Sequence, residues 1–182
     1  TKSAQVLRAR GGVQGTDEQI VDDLVAGVLA RINAHGVHWR TGARELLAAL
    51  RTHKVPCALV TMSYRVLAEA VVAQLPEGTM SAIIAGDDVT HGKPHPEPYL
   101  KAAEALGVDI NSCIGVEDSP TGAASVEAAG ARLIAVPFLV HLDAAPHRSR
   151  FNSLASISLE DLQSIMSGTT IDRWEQHERA AH

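Results

Sequence analysis

Four short apolar runs alternate with helical patterns in the middle of the chain, and this alternation limits the fold more than any other feature. The apolar runs cover 55–60, 82–85, 112–116 and 133–136. The helical patterns that follow the first three runs cover 64–74, 96–106 and 122–129. Strands that alternate with helices form βαβ units with parallel strands, and continuous apolar strands are typical of a sheet covered on both faces. The sequence therefore predicts an α/β fold with a Rossmann-like, three-layer parallel-sheet core.

Three more helices are predicted outside these units. Their apolar periodicity covers 17–35, 42–51 and 159–166. Thr16 precedes the acidic start of the first of them and Gly36 follows its end, as expected for an N-cap and a helix stop. Two other segments show no periodic pattern. They are 138–153, which we expect to be a long loop with scattered His and Arg, and 169–182, which we expect to be a polar tail.

Charge and composition limit the partners of the chain. The 182 residues carry a formal net charge of −5, whereas proteins that bind nucleic acid or anionic membranes normally present a basic face. No apolar stretch has the length of a membrane span, and no signal peptide opens the chain. We therefore expect a cytoplasmic monomer without a nucleic-acid or membrane partner. The chain has no initiator Met, and we expect it to begin partway through its gene product.

Hydroxyl and basic residues follow two of the predicted strands at their carboxyl ends. Thr61, Met62 and Ser63 follow the first strand and are predicted to open a helix, whose amides form an anion site. Lys93 lies in the loop after the second strand and supplies a positive charge. Open parallel sheets bind ligands beyond the carboxyl ends of their strands. These residues therefore predict a site for a phosphoryl group.

Two adjacent carboxylates, Glu117 and Asp118, follow the third strand. Carboxylate oxygens are hard ligands, and one or two of them suit Mg²⁺ when phosphate and water complete its coordination. Adjacent carboxylates with no cation beside them in the sequence repel each other unless a metal compensates their charge. The pair is therefore predicted to bind Mg²⁺ next to the phosphoryl group.

Each of these features also has an ordinary structural interpretation. Thr61 is also a typical helix cap, Lys93 a typical solvated loop charge, and 117–120 a typical acidic turn. Their common position at strand ends favours one site over three unrelated loops. His91 and His95 lie in a proline-bearing loop, and without a third ligand of suitable spacing they do not predict a zinc site.

Three stretches of the chain carry a resemblance to a known family. They read Thr-Met-Ser at 61–63, Gly-Lys-Pro-His-Pro-Glu-Pro-Tyr at 92–99 and Gly-Val-Glu-Asp-Ser-Pro-Thr-Gly at 115–122. In this order they resemble three of the four motifs of the haloacid dehalogenase-like (HAD) superfamily, in particular its phosphatases and mutases similar to β-phosphoglucomutase. The resemblance covers roughly residues 37–162, and 15–36 resembles the end of the helical cap domain of this subfamily.

The resemblance implies roles for residues of the predicted phosphoryl site. Thr61 would hydrogen-bond the transferring phosphoryl group, helped by the amides of Met62 and Ser63. Lys93 would neutralise the phosphate and orient the nucleophile. The resemblance also implies a division of the chain: 1–37 as the C-terminal part of a helical cap domain, 38–168 as the HAD-like core, and 169–182 as the polar tail.

The resemblance further implies a Mg²⁺ cofactor and a reaction. Asp118 would hold the ion, with Glu117 as a second ligand or its water-mediated partner. The implied function is a Mg²⁺-dependent phosphatase that acts on a small phosphorylated metabolite through an aspartyl-phosphate intermediate. A sugar-phosphate mutase similar to β-phosphoglucomutase keeps the same site and remains an alternative. The alternative from another class is a non-catalytic relative that binds a phosphorylated ligand or a partner protein.

The chain departs from the family at its first motif, an Asp-x-Asp sequence that follows an apolar strand ahead of the cap. In the family, the first aspartate attacks phosphorus and the second acts as acid and base. No Asp-x-Asp occurs in the 182 residues. The acidic pairs at 22–23 and 87–88 are adjacent, and the second pair is expected to be structural. We therefore expect the nucleophile and its strand to precede Thr1.

Overall fold

The computed structural model describes residues 2–137, 140 and 142–174. In this part of the chain, helices and strands follow one another in the order expected for βαβ units. The helices are α1 (Lys2–Gly11), α2 (Asp17–His35), α3 (Ala43–Thr52), α4 (Arg65–Val72), α5 (Glu97–Leu106), α6 (Pro120–Ala129) and α7 (Leu159–Met166). The strands are β1 (Ala58–Val60), β2 (Ala82–Ile84), β3 (Ile114–Glu117), β4 (Arg132–Ala135), β5 (Arg148–Phe151) and β6 (Asp172–Arg173).

The described strands pair in parallel and form two sheets. β1 pairs with β2, while β3, β4, β5 and β6 form a four-stranded sheet in that order. The predicted α/β class with parallel strands is confirmed. The four apolar runs of the sequence nevertheless lie in two different sheets, the first two in β1 and β2 and the last two in β3 and β4. In the described part of the chain, β1 and β3 are not hydrogen-bonded to each other.

Strand β4 forms the centre of the core because it is covered on both faces. Leu133 packs with Val126 of α6 in one apolar cluster, which also contains Tyr99 of α5. The next residue, Ile134, points to the opposite face and packs with Phe151 of β5 and Ile165 of α7. Successive side chains of a strand point to opposite faces, so helices on both sides of β4 give the three predicted layers.

Three helices, α1, α2 and α3, precede the first strand. α2 begins at the predicted position because Thr16 and Gln19 form a capping box, in which each side chain accepts a hydrogen bond from the other residue's amide. Ile20 is buried, and α2 packs against α4. α1 was not predicted, since no capping residue precedes it in the sequence. The described helices include none with the length and apolar character needed to cross a membrane.

The C-terminal region differs from the sequence-based prediction in two places. Part of 138–153, predicted as a loop, forms β5, and part of 169–182, predicted as a polar tail, forms β6, which pairs with β5. β5 reads Arg-Ser-Arg-Phe and therefore shows no apolar run in the sequence. Its two buried residues, Ser149 and Phe151, alternate with two arginines. An ion pair between Arg150 and Asp172, 2.6 Å long, holds β6 at this edge. Residues 138–139, 141 and 175–182 lie outside the described part.

Candidate functional site

The carboxyl ends of β1 and β3 meet at a buried ion pair. Lys93 Nζ donates to Val60 O, the last carbonyl of β1, at 3.1 Å, and to Glu117 Oε1, at the end of β3, at 2.5 Å. Only 12% of the Lys93 side chain and 7% of the Glu117 side chain are exposed. Lys93 is therefore not a solvated loop charge. The acidic pair has no cation beside it in the sequence, but the fold brings Lys93 to Glu117 from another loop.

The hydroxyl of Tyr99 completes this buried group. It donates to Glu117 Oε1 and accepts from Lys93 Nζ at 3.3 Å. Burial, reinforced by the negative charge of Glu117, raises the pKa of Tyr99 well above its ordinary range, so the phenol stays neutral and donates. Sequence reasoning assigned Tyr99 no role. Its only signal was its place in the stretch 92–99, which puts it in the first turn of α5.

Gly122 forms the wall behind the Glu117 carboxylate. A Cβ atom added to Gly122 would lie 1.9 Å from Glu117 Oε2, so only glycine leaves room for the carboxylate. Ser119 fixes the start of α6 here, because its Oγ accepts from the Gly122 amide at 3.1 Å. The carboxylate thus lies between Lys93, Tyr99 and the first turn of α6.

Gly122→Ala is expected to destabilise the fold by about 1–3 kcal/mol, because the new methyl group overlaps a carboxylate that is held in place by Lys93 and Tyr99. Gly27→Ala is the matched control, since a Cβ at this position in α2 meets open space. The control is expected to stabilise the protein by about 0.5–1 kcal/mol. Urea unfolding measures both changes, and equal effects of the two substitutions would contradict the packing of Gly122 on Glu117.

Thr61 lies in the loop after β1, not in the first turn of a helix as predicted. α4 begins four residues later, at Arg65, whose amide donates to Asp87 Oδ1 at 2.9 Å. The N-terminus of α4 is therefore satisfied by a carboxylate. Thr61 Oγ1 instead accepts from the amide of Ser63 at 3.1 Å and stabilises a local turn.

The loop 61–63 nevertheless adjoins Lys93. Met62 Sδ lies 3.4 Å from the backbone nitrogen of Lys93, and Val60, which precedes Thr61, accepts from the Lys93 ammonium. The carbonyl of Ser63 accepts from the Gly86 amide at 2.9 Å, which joins this loop to the end of β2. The structure thus brings both predicted phosphate-site segments, the loop 61–63 and the loop that carries Lys93, to one edge.

The pair Asp87–Asp88 has the structural role that the sequence suggested. Asp88 accepts from the Ala85 amide at 2.7 Å and forms a two-pronged ion pair with Arg65. The hydrogen bond from Arg65 is the main cause that lowers the pKa of Asp88 below its ordinary value. These contacts fasten the turn after β2 to the start of α4.

Asp118 faces a different cation. Half of its side chain is exposed (51%), and its Oδ2 lies 3.9 Å from Nη1 of Arg40. Arg40 also donates to Val136 O at 2.9 Å and to Pro137 O at 3.3 Å, beyond the end of β4. Sequence reasoning missed Arg40 because it belongs to no motif. The guanidinium extends the charged edge from β3 to β4.

Glu97 organises the loop that carries Lys93. Its carboxylate accepts from the amides of Thr90 and His91 at 2.8 and 2.9 Å and pairs with Lys101 at 3.1 Å. The amide of Thr90 is the main cause, and these donors together lower the pKa of Glu97 from 4.5 to about 2. The carboxylate therefore stays charged through the range in which ordinary glutamates titrate.

The carboxyl group of Glu97 is expected to titrate at about pH 2 in the folded protein. Its pKa is lower in the folded than in the unfolded chain, so its contribution to stability is present above about pH 4.5 and disappears as the pH falls through 2. A ¹³C NMR titration measures this midpoint, and Glu97→Gln assigns the signal. A midpoint near 4.5 would show that the amide contacts do not hold in solution.

The edge formed by β1, β3 and the Lys93 loop combines three kinds of chemistry. It offers a hydroxyl at Thr61, a mostly buried ammonium at Lys93 and an exposed carboxylate at Asp118. A hydroxyl and an ammonium stabilise an oxyanion, and an exposed carboxylate can ligate a divalent cation. This combination suits a phosphoryl group.

Comparisons with known proteins agree with this chemistry. Residues 6–130 match the family model of haloacid dehalogenase-like hydrolases. The chain is 38% identical over 125 residues to the bifunctional riboflavin kinase/FMN phosphatase of Arabidopsis thaliana, covering 65% of this chain and 32% of that protein. It is 37% identical over 103 residues to hexitol phosphatase A of Escherichia coli K12, covering 56% of this chain and 47% of that protein.

The fold is also similar to a solved structure. CbbY from Rhodobacter sphaeroides, in complex with phosphate, superimposes with a TM-score of 0.73 at 25% identity, over 88% of this chain and 75% of that one. The chain spans 32% and 47% of the lengths of the two curated relatives. The family model covers more than half of the chain, including the strand ends that carry Lys93, Glu117 and Asp118. The chain therefore belongs to the haloacid dehalogenase-like hydrolase family.

Proposed function

We propose that the protein is a Mg²⁺-dependent phosphatase that hydrolyses a small phosphorylated metabolite through an aspartyl-phosphate intermediate. The observation that carries this proposal is the buried Lys93–Glu117 pair at a sheet edge, with Asp118 exposed beside it. Desolvation of a buried ion pair offsets much of its attraction, so such a pair at the edge of a sheet is better explained by function than by stability. The names of the relatives, FMN phosphatase and hexitol phosphatase A, support the same class of reaction.

The two carboxylates fit a Mg²⁺ ion unequally. The exposed oxygens of Asp118 can ligate an ion whose other ligands are water and phosphate. Glu117 Oε1 already accepts from Lys93 and Tyr99, and Oε2 lies against Gly122. We therefore assign direct ligation to Asp118 and a water-mediated role to Glu117. When bound, Mg²⁺ would supply positive charge against the charge that develops on the phosphoryl oxygens.

The loop 61–63 and Lys93 would hold the phosphoryl group. Because Thr61 Oγ1 accepts from the Ser63 amide, its own proton is left to donate to a phosphate oxygen. The Met62 amide would add a second donor. Lys93 has three N–H donors, directed at Glu117, Tyr99 and Val60 O, and a phosphate oxygen would replace Val60 O as the better acceptor.

The nucleophile of the proposed reaction is an aspartate that these 182 residues do not supply in an Asp-x-Asp motif. We assign it to a further strand, ahead of Thr1, that inserts between β1 and β3. Lys93 bridges the ends of β1 and β3 although these strands belong to separate sheets in the described part of the chain. A parallel strand between them would pair with both and bring its carboxyl end to Lys93. The aspartate would attack phosphorus as the bond to the leaving oxygen breaks, and water would then cleave the acyl phosphate.

The proposal also gives a role to the two N-terminal helices. Residues 1–37 would belong to a cap that excludes water and selects the substrate, and 38–168 to the catalytic core. The support for this division is that α2 packs against α4, the helix that follows the Thr61 loop. The β5–β6 pairing extends the core to Arg173.

The experiment that tests the proposal is hydrolysis of p-nitrophenyl phosphate by the complete polypeptide encoded by the gene. We expect turnover in the presence of Mg²⁺, and we expect EDTA to abolish it. The same protein is then assayed for phosphate release from FMN and from a panel of hexitol and sugar phosphates. A complete polypeptide that releases phosphate from none of these compounds would contradict the proposal.

The missing Asp-x-Asp motif favours a second candidate, a relative that binds a phosphorylated ligand without turnover. This candidate predicts that the complete polypeptide binds phosphate but hydrolyses nothing, and that no Asp-x-Asp precedes Thr1 in the gene. A sugar-phosphate mutase would be recognised differently, because it isomerises a sugar 1-phosphate without releasing phosphate. One panel of assays therefore separates all three activities.

A further inference from the structure

A second group of metal-binding side chains lies on the loop that carries Lys93, apart from the site described above. His91 and His95 each lie two residues from Lys93, and Glu97 is the first residue of α5. One ligand atom from each of His91, His95 and Glu97 lies within 4.8 Å of the other two. Glu97 is thus the third ligand that the sequence pattern of the two histidines lacked.

Glu97 is fixed in place before any ion binds. Its side chain is only 16% exposed, and the amides of Thr90 and His91 hold its two oxygens. Oε1 also pairs with Lys101 at 3.1 Å, whereas the second partner of Oε2 is His91 Nδ1 at 3.0 Å. Oε2 is therefore the oxygen that could ligate an ion, in place of its contact with the imidazole. A charged, positioned oxygen is therefore ready for a cation.

The two imidazoles lie beside this carboxylate. His91 Nδ1 is 3.0 Å from Glu97 Oε2, and the rings of His91 and His95 are 4.6 Å apart. Ligand atoms of a tetrahedral zinc site with bonds of about 2.0–2.1 Å lie roughly 3.3 Å from each other. The His91–Glu97 spacing already agrees with this value. His91 is 62% exposed and His95 is also exposed. His95 Nδ1 accepts from the Glu97 amide at 3.2 Å, so rotation of His95 toward the ion would exchange this exposed hydrogen bond for a metal bond and leave the core undisturbed.

Two ammonium groups lie near this arrangement, and that of Lys101 pairs with Glu97 Oε1, the oxygen not assigned to the ion. The ammonium of Lys93 is turned into the protein, where Glu117 and Tyr99 hold it. The backbone of His95 is also anchored, because its carbonyl accepts from Ser125 Oγ at 2.6 Å. The Lys93 side chain is thus buried, whereas those of His91 and His95 are exposed on the same loop.

We propose that His91, His95 and Glu97 bind a divalent transition-metal ion, in the first instance Zn²⁺, with water in the fourth position. Two imidazoles and one carboxylate form a donor set that suits Zn²⁺, whereas Mg²⁺ prefers oxygen ligands alone. The ion would link His91 and His95, which lie on either side of Lys93, to Glu97 at the start of α5. This site is separate from the Mg²⁺ site proposed at Asp118.

The experiment is a calorimetric titration of the complete polypeptide with Zn²⁺ in the presence of excess Mg²⁺, which occupies the oxygen-ligand site. His91→Ala and His95→Ala each remove one ligand from an exposed position, and circular dichroism checks that both variants are folded. His53→Ala, at an exposed position after α3, is the matched control. Each ligand variant is expected to bind Zn²⁺ about tenfold or more weakly, and the control is expected to bind it as the parent chain does.

Each outcome of these titrations either supports or overturns the proposed Zn²⁺ site. Weakening in both ligand variants, with the control unchanged, supports a site that needs both imidazoles. Co²⁺ in place of Zn²⁺ should then give the visible absorption of tetrahedral coordination in the parent chain and lose it in both variants. The proposal is overturned if the parent chain binds no Zn²⁺, if neither variant weakens binding, or if only one of them does.

Discussion

Asp118→Ala is expected to remove Mg²⁺-dependent turnover from the complete polypeptide, lowering kcat/KM by about a thousandfold or more. Asp118 is the exposed carboxylate of the charged edge, and its loss would leave the ion without the direct protein ligand that we assign to it. A metal ion contributes several kcal/mol of charge stabilisation to the transition state, and each 1.36 kcal/mol corresponds to about a factor of ten in rate. The measurement is phosphate release as a function of Mg²⁺ concentration.

The control for Asp118→Ala is Glu104→Ala, which removes an exposed carboxylate from α5 away from the charged edge. It is expected to keep the activity and the Mg²⁺ dependence of the parent protein. The fold is not at risk in either variant, since substitutions at exposed positions change stability by at most about 0.5 kcal/mol. Activity of Asp118→Ala within about tenfold of the parent would show that the metal is held elsewhere.

Lys93→Met is expected to lower both stability and turnover. Removing one partner of a buried ion pair leaves the other charge without compensation, which costs about 3–5 kcal/mol. Lys93 and Glu117 are both largely buried, so this range applies here. The loss of the ammonium should also lower kcat by about 10²–10³-fold, since it would stabilise charge on the phosphoryl group. Urea unfolding and phosphate release measure the two effects separately.

The double variant Lys93→Met/Glu117→Gln separates stability from catalysis. Neutralising both partners removes the unpaired charge, so most of the lost stability should return while activity stays low. Lys54→Met, at an exposed lysine after α3, is the control and should change stability by at most about 0.5 kcal/mol. Recovery of activity in the double variant would contradict the role of Lys93. A single variant as stable as the parent would contradict the burial of the pair.

The location of the site could be predicted because parallel topology determines it. Once strands and helices alternate, the carboxyl ends of the strands lie at one edge, and the residues that follow them meet there. This reasoning brought Lys93 and Glu117 together across two loops, and the structure places them in direct contact. The prediction required only the order of the strands along the chain, and apolar runs of four to six residues indicate that order.

The detailed contacts could not be predicted, because they depend on tertiary packing. α4 begins at Arg65, one residue after the predicted start of 64–74, but its N-terminus is satisfied by Asp87 from a distant loop, and Thr61 is left outside the helix. Tyr99 reaches Glu117 only because α5 packs against β1 and β2. Strand β5 was missed for a local reason: its two arginines pair with Glu127 of α6 and Asp172 of β6, so it carries no apolar run.

The most direct test of the proposed phosphoryl-transfer site is a crystal structure of the complete polypeptide with Mg²⁺ and phosphate. We expect Mg²⁺ at about 2.0–2.1 Å from an Asp118 carboxylate oxygen. We also expect a phosphate oxygen within hydrogen-bond distance of both Thr61 Oγ1 and Lys93 Nζ, and a further strand paired between β1 and β3. Phosphate bound away from Thr61 and Lys93, or Mg²⁺ without Asp118 among its ligands, would contradict the assignment of these residues to one phosphoryl-transfer site.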